Sequence, residues 1–284
     1  MGFSKPQLIS GLGEIAPRYD TLICDIWGVL HDGVSPFEGA DEALKSFREG
    51  GGKVLLMSNA PRPAASVVAR LDGIGTARHA YDTVLTSGDL VREEAAARGA
   101  AGQACHYIGP DKDSELLAGV ALDFADPDAA DFILLSGLRD DRTETPDDYA
   151  AEIEVWRAHD LPLICANPDR RVQFGKRIIY CAGAVAERYE QAGGNVVWLG
   201  KPHAPIYARA AEMLAAMRGD AGAALVVGDG PATDISGAAA AGLDALFITG
   251  GLTQQNGDAS AEAIAERLAR DDTHAAYAMH RLIW

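Results

Sequence analysis

Nine short apolar runs recur along this chain with helical patterns between them, and such alternation folds as parallel βαβ units. The runs are Leu22 to Cys24, Val54 to Met57, Thr83 to Thr86, His106 to Ile108, Phe132 to Leu135, Leu163 to Cys165, Val196 to Leu199, Ala224 to Val227 and Ala245 to Ile248. Leu22-Ile23-Cys24 is continuously apolar rather than alternating, as a buried strand of a parallel sheet is. Helices are predicted over Ala40 to Gly50, stopped by Gly50-Gly51-Gly52, over Ala64 to Leu71 behind Pro63, over Pro146 to His159 and over Pro205 to Met217. Tyr149, Ile153 and Trp156 recur at helical spacing and are expected in a core. The fold class is therefore α/β.

At 284 residues the chain is long enough for one large domain or two moderate ones. Its formal net charge of −16 opposes nucleic acid and anionic membrane as partners. A small anionic substrate requires a local basic pocket. Cys24, Cys105, Cys165 and Cys181 lie far apart without zinc-ligand spacing, which reads as buried free thiols in a reducing compartment. No apolar run approaches the roughly 18 residues of a membrane span, and the first residues lack a signal-peptide block. A cytoplasmic location is expected. The sequence leaves the oligomeric state open, a homo-oligomer included.

Four of the runs end in chemistry. Leu22-Ile23-Cys24 delivers Asp25 into Ile26-Trp27-Gly28. Leu55-Leu56-Met57 ends in Ser58-Asn59, Trp198-Leu199-Gly200 leads to Lys201, and Leu225-Val226-Val227-Gly228 ends in Asp229, with Asp234 five residues on. Ligands of open α/β sheets gather at such strand ends. A carboxylate nucleophile at Asp25, a hard cation such as magnesium held by Asp25 and Asp229, and phosphate oxygens held by Ser58, Asn59 and Lys201 suit phosphoryl transfer. The middle of the chain is strand-rich and short of such groups. That distribution predicts an inserted domain over residues 103–195, with 1–102 and 196–284 as the catalytic core.

Taken in order, these segments resemble the four motifs of the haloacid dehalogenase superfamily of phosphatases. Ala166-Asn167-Pro168-Asp169, Gly183-Ala184, Gly200-Lys201-Pro202-His203 and Thr233-Asp234-Ile235 narrow the resemblance to class IIA, the branch of 4-nitrophenylphosphatases and pyridoxal phosphatases. The resemblance implies a Rossmann-like core, an inserted α/β cap and an aspartyl-phosphate intermediate. It implies Asp25 as nucleophile, Ser58 and Lys201 as phosphate binders, and Mg2+ held by Asp25, the Trp27 carbonyl, Asp229 and Asp234.

Trp27 departs from the pattern. The phosphatases of this family carry there an aspartate that protonates the leaving group and then activates water, and indole does neither. General acid-base catalysis is worth about 10²- to 10⁴-fold, so turnover is expected to be slow unless another group substitutes. His31 and Asp32, in the segment resembling the family's mobile flap, are the nearest candidates, against the plainer reading of His31 as a turn residue. The run Asp169 to Arg177 is the most basic in the chain and falls where relatives carry a specificity loop, so Lys176 and Arg177 are candidate substrate binders; a solvated charge run is the alternative. The leading expectation is a magnesium-dependent phosphatase of a small phosphorylated metabolite. A non-catalytic phosphometabolite-binding or regulatory relative and a dehalogenase-like hydrolase remain as alternatives, the latter opposed by Asp229 and Asp234.

Overall fold

The structure is a computed structural model that describes residues 5–174, 177–220, 222–251 and 260–284. It divides into two compact units, one of Met1–Ser58, Val67–Leu85 and Lys201–Trp284, the other of Asn59–Ser66 and Thr86–Gly200.

The first unit is built on a seven-stranded sheet. Its spatial order is Gln7–Leu8, Tyr277–Met279, Asp244–Ile248, Ala224–Gly228, Thr21–Asp25, Lys53–Ser58, Thr83–Thr86. From Gln7–Leu8 to Lys53–Ser58 every pairing is parallel. The continuous apolar runs follow from burial on both faces: Leu22, Cys24, Val54, Leu55, Leu56, Leu225 and Val227 have no exposed surface. From Thr21–Asp25 the chain builds outward through Lys53–Ser58 and Thr83–Thr86, and it returns to Ala224–Gly228 on the opposite side. A topological switch point therefore lies between Thr21–Asp25 and Ala224–Gly228, where open sheets bind their ligands.

Helix Ala40–Glu49 buries Ala40, Ala43, Leu44 and Phe47, one stripe at helical spacing. Helix Ala204–Arg218 carries Pro205 in its first turn, buries Ile206, Tyr207, Ala210 and Leu214, and ends at Gly219, which takes the left-handed φ of 98° that favours glycine.

The second unit holds a five-stranded parallel sheet in the order Val196–Trp198, Leu163–Cys165, Phe132–Leu135, Ala104–Ile108, Asp123–Phe124. Phe132–Leu135 alternates its side chains between two cores. Ile133 and Leu135 pack with Tyr149, Ile153, Trp156 and Tyr189, whereas Phe132 and Leu134 pack with Val91, Ala95, Cys105 and Ile164. Tyr149 and Trp156 are thus core residues.

That second core explains where the unit begins. The sequence reading enters the inserted domain at residue 103, but helix Ser87–Ala100 packs with it through Val91 and Ala95, and Arg92 donates to the carbonyls of Leu116 and Ala118. Thr86 caps this helix, exchanging hydrogen bonds with Asp89 at 3.0 Å in each direction. In the basic segment, strand Arg171–Phe174 pairs antiparallel with Arg177–Tyr180. All four cysteines are buried and free. No helix among the described residues is long and apolar enough to cross a membrane.

Candidate active site

Strand Thr21–Asp25 is buried throughout and ends on Asp25, whose residue surface is 7% exposed. In the parallel register Val227 lies opposite Cys24, so Asp229, two residues farther, emerges at the same sheet end. Met57 lies opposite Asp25, which brings Ser58 there from the other neighbouring strand. Lys201, buried, precedes helix Ala204–Arg218. Its Nζ donates to Asp25 Oδ1 at 2.5 Å and to Asp234 Oδ1 at 2.7 Å. Asp25, Asp229 and Asp234 each offer an oxygen within 4.8 Å of the others.

Glycines make this crowding possible. A Cβ on Gly28, whose φ is +95°, would lie 2.1 Å from Asp229 Oδ2, and one on Gly251 would lie 1.9 Å from the same oxygen. On Gly228 it would lie 2.2 Å from the Asp234 side chain. The carboxylates are seated against bare backbone, which only glycine permits here. Asp234 is further fixed by the Gly230 amide, which donates to its Oδ2 at 3.1 Å.

The charges are strongly coupled. Burial raises the Asp25 pKa and the Asp234 carboxylate adds to the rise, with the Lys201 ammonium opposing it. For Lys201, burial disfavours the charge, but Asp234 and Asp25 outweigh it and hold the pKa well above the ordinary lysine value. Lys201 therefore keeps its proton and serves as a fixed cation. Three clustered carboxylates against one ammonium leave an excess of negative charge and hard oxygen donors, a set that fits a divalent cation of the magnesium type.

The flap-like segment is ordered by its own contacts. The Trp27 indole meets the His31 ring edge-on, centroids 5.6 Å apart, and a Cβ on Gly33 would lie 2.7 Å from Trp27 Cζ2. Arg70 donates to the Gly33 carbonyl at 3.2 Å, and its guanidinium lies 5.7 Å from the indole centroid. His31 is buried and accepts the Gly33 N–H at Nδ1, 3.0 Å away. Burial, then the Arg70 cation, lowers its pKa to about 4. Asp32 is exposed, and the Ser35 and Val34 amides donating to its Oδ1 hold its pKa below the ordinary value.

The first unit thus brings together Asp25, Ser58, Lys201, Asp229 and Asp234. Asn59 opens the second unit, where its Nδ2 donates to Asp169 Oδ1 at 2.9 Å. Lys176 lies outside the described residues, and Arg177 opens the second hairpin strand. In the sequence Gly28 and Gly228 read only as turn residues at the strand ends and Gly251 carried no role; that the carboxylates seat against all three depends on the fold. Sequence reasoning passed over Arg70, whose partner Gly33 is distant in sequence and leaves no local mark.

The haloacid dehalogenase-like hydrolase family model matches residues 22–123, and a second model of HAD-hydrolase-like proteins matches residues 198–274. A D-glycerol 3-phosphate phosphatase of Mycobacterium tuberculosis is 32% identical over 245 residues, covering 84% of this chain; this chain spans 65% of that enzyme's length. A glycerol phosphate phosphatase from M. tuberculosis, solved with magnesium, is 27% identical and aligns over 84% of this chain and 71% of its own with a TM-score of 0.62. The 4-nitrophenylphosphatase of Thermotoga maritima shares the fold, with a TM-score of 0.71 at 20% identity over 94% of this chain and 96% of its own. A haloacid dehalogenase-like hydrolase from Brucella suis aligns over 97% of this chain and all of its own, at 36% identity and a TM-score of 0.84. On that identity over full length, together with the two family models, this chain belongs to the haloacid dehalogenase-like hydrolases.

Proposed function

We propose that the protein is a magnesium-dependent phosphatase of a small, anionic phosphorylated metabolite, working through an aspartyl phosphate on Asp25. The observation that carries this reading is the Lys201 ammonium seated between Asp25 and Asp234, with Asp229 beside them at the sheet's switch point. Asp25 Oδ attacks phosphorus as the bond to the leaving oxygen breaks, and water then attacks phosphorus and releases Asp25. Lys201, kept charged and held by Asp234, offsets charge on the phosphoryl oxygens, with Ser58 and Asn59 as further donors. Asp25, Asp229 and the Trp27 carbonyl would hold the cation, with Asp234 completing the acidic cluster; when bound, it offsets the repulsion between carboxylate and phosphate. The phosphatase names of the mycobacterial and Thermotoga relatives agree with this reading.

The test is phosphate release from a panel of acyl, aryl, sugar, glycerol and pyridoxal phosphates and nucleotides, with and without magnesium. Release that requires the metal and vanishes in Asp25→Asn is expected. Undiminished release by Asp25→Asn would overturn the assignment. Trp27 favours one second reading, a phosphometabolite-binding protein, which would show saturable binding of a phosphate ester without release.

A further inference from the structure

The residue two beyond Asp25 is an indole, and the structure holds it in place: Trp27 packs on Gly33 and His31, with Arg70 beside it. Several of the described polar side chains near Asp25 are already committed to other partners. Lys201 donates to two carboxylates at once, and Asp234 accepts from both Lys201 and the Gly230 amide. On the neighbouring segment, His31 is buried with Nδ1 taken by the Gly33 amide, and Asp32 closes its own turn by accepting from Val34 and Ser35. A phosphoryl site so furnished stabilises charge well and protonates poorly.

We propose that Trp27 restricts this site to phosphates whose leaving group departs as a stable anion, acyl and aryl phosphates, and excludes alkyl monoesters. This rests on the phosphatase reading above. In the first step the Asp25 Oδ to phosphorus bond forms while the bond from phosphorus to the leaving oxygen breaks, and that oxygen leaves with its electron pair as carboxylate or phenolate. No proton moves. In the second step water attacks phosphorus, the bond to Asp25 breaks, and the proton lost by water goes to the released phosphate. An alkoxide is too basic to depart this way. Without the usual acid its expulsion forfeits about 10²- to 10⁴-fold.

The experiment measures kcat/KM of the full-length protein with magnesium across aryl phosphates of graded phenol acidity, with acetyl phosphate and an alkyl monoester at the extremes. The rate is expected to fall steeply as the leaving group becomes more basic, with the alkyl ester at least about 100-fold below 4-nitrophenyl phosphate. Trp27→Asp is expected to flatten the slope, which loss of structure alone would not do, since that lowers every rate together. The wild-type series needs no variant and decides by itself. A flat wild-type series with rapid alkyl turnover overturns this inference and leaves the phosphatase reading intact. No release from any ester removes both.

Discussion

At the residue scale, Gly28 shows how little side chain the site tolerates. It combines a φ of +95° with a would-be Cβ only 2.1 Å from Asp229 Oδ2, whereas Gly51 has a similar φ of +94° and open space around it. The two positions separate backbone strain from displacement of a ligand. Gly51→Ala is expected to cost about 1–2 kcal/mol of stability and leave phosphate release unchanged. Gly28→Ala carries the same strain and must also push Asp229 aside, so the magnesium concentration for half-maximal activity should rise at least about tenfold. Equal metal requirements in the two variants would show that the Asp229 seat is not needed. Asp25, Ser58, Lys201 and Asp229 were legible in sequence because each follows an apolar run that fixes its position at a sheet end, whereas Asp234, inside the turn Pro231–Ile235, was marked by its spacing from Asp229 and by the motif it resembles. His31 and Asp32 were legible only as polar loop residues. Their hydrogen bonds to Gly33, Val34 and Ser35 depend on the turn that the segment takes.

At the scale of elements, the edge of the core sheet is pinned by one carboxylate. Asp82 accepts from Arg48 Nε and Nη2 at 2.9 Å each, from Lys53 Nζ at 3.3 Å and from the Val54 amide at 2.9 Å, joining the end of helix Ala40–Glu49 to the start of strand Lys53–Ser58. Burial alone would raise its pKa; the Arg48 hydrogen bonds, the Val54 amide and the Arg48 charge outweigh it and lower the value. The stabilisation is therefore present above the unfolded carboxylate value near pH 4 and is lost as pH falls through the lower folded value. Asp82→Asn is expected to cost about 2–3 kcal/mol near pH 7, the worth of hydrogen bonds to a charged group, and to make the acid limb of denaturant-measured stability shallower. An unchanged acid limb would assign that titration to other groups. Fully buried strands with a continuous apolar run were readable in advance: Phe132–Leu135 and Leu163–Cys165 fall at the residues their apolar runs marked. The hairpin Arg171–Phe174 with Arg177–Tyr180 was not, because its charges mask strand periodicity. Tyr277–Met279, three residues long, owes its place to the parallel neighbour Asp244–Ile248 rather than to any pattern of its own.

At the scale of the whole molecule, 41 acidic residues face 25 lysines and arginines, and the resulting charge of −16 repels the anionic substrate proposed here. Some local positive field has to offset that repulsion. The basic run is the sequence's best source of one. Within it Arg170 is paired with Glu187, and Lys176 and Arg177 are the candidates that the sequence singles out for testing. Replacing both by alanine changes the formal charge from −16 to −18, and so does replacing Lys5 and Lys45, which lie in the other unit. If only the overall charge mattered, the two double variants would behave alike. If Lys176 and Arg177 guide the substrate, their loss should raise KM about fivefold, the roughly 1 kcal/mol that two charges exert on an anion across water, with kcat little changed. The difference between the pairs should shrink as salt is raised from 0.01 M to 1 M and the Debye length falls from about 30 Å to about 3 Å. Equal KM values for the two variants at low salt would return Lys176 and Arg177 to the status of solvated charge and require the substrate's entry to be guided from elsewhere.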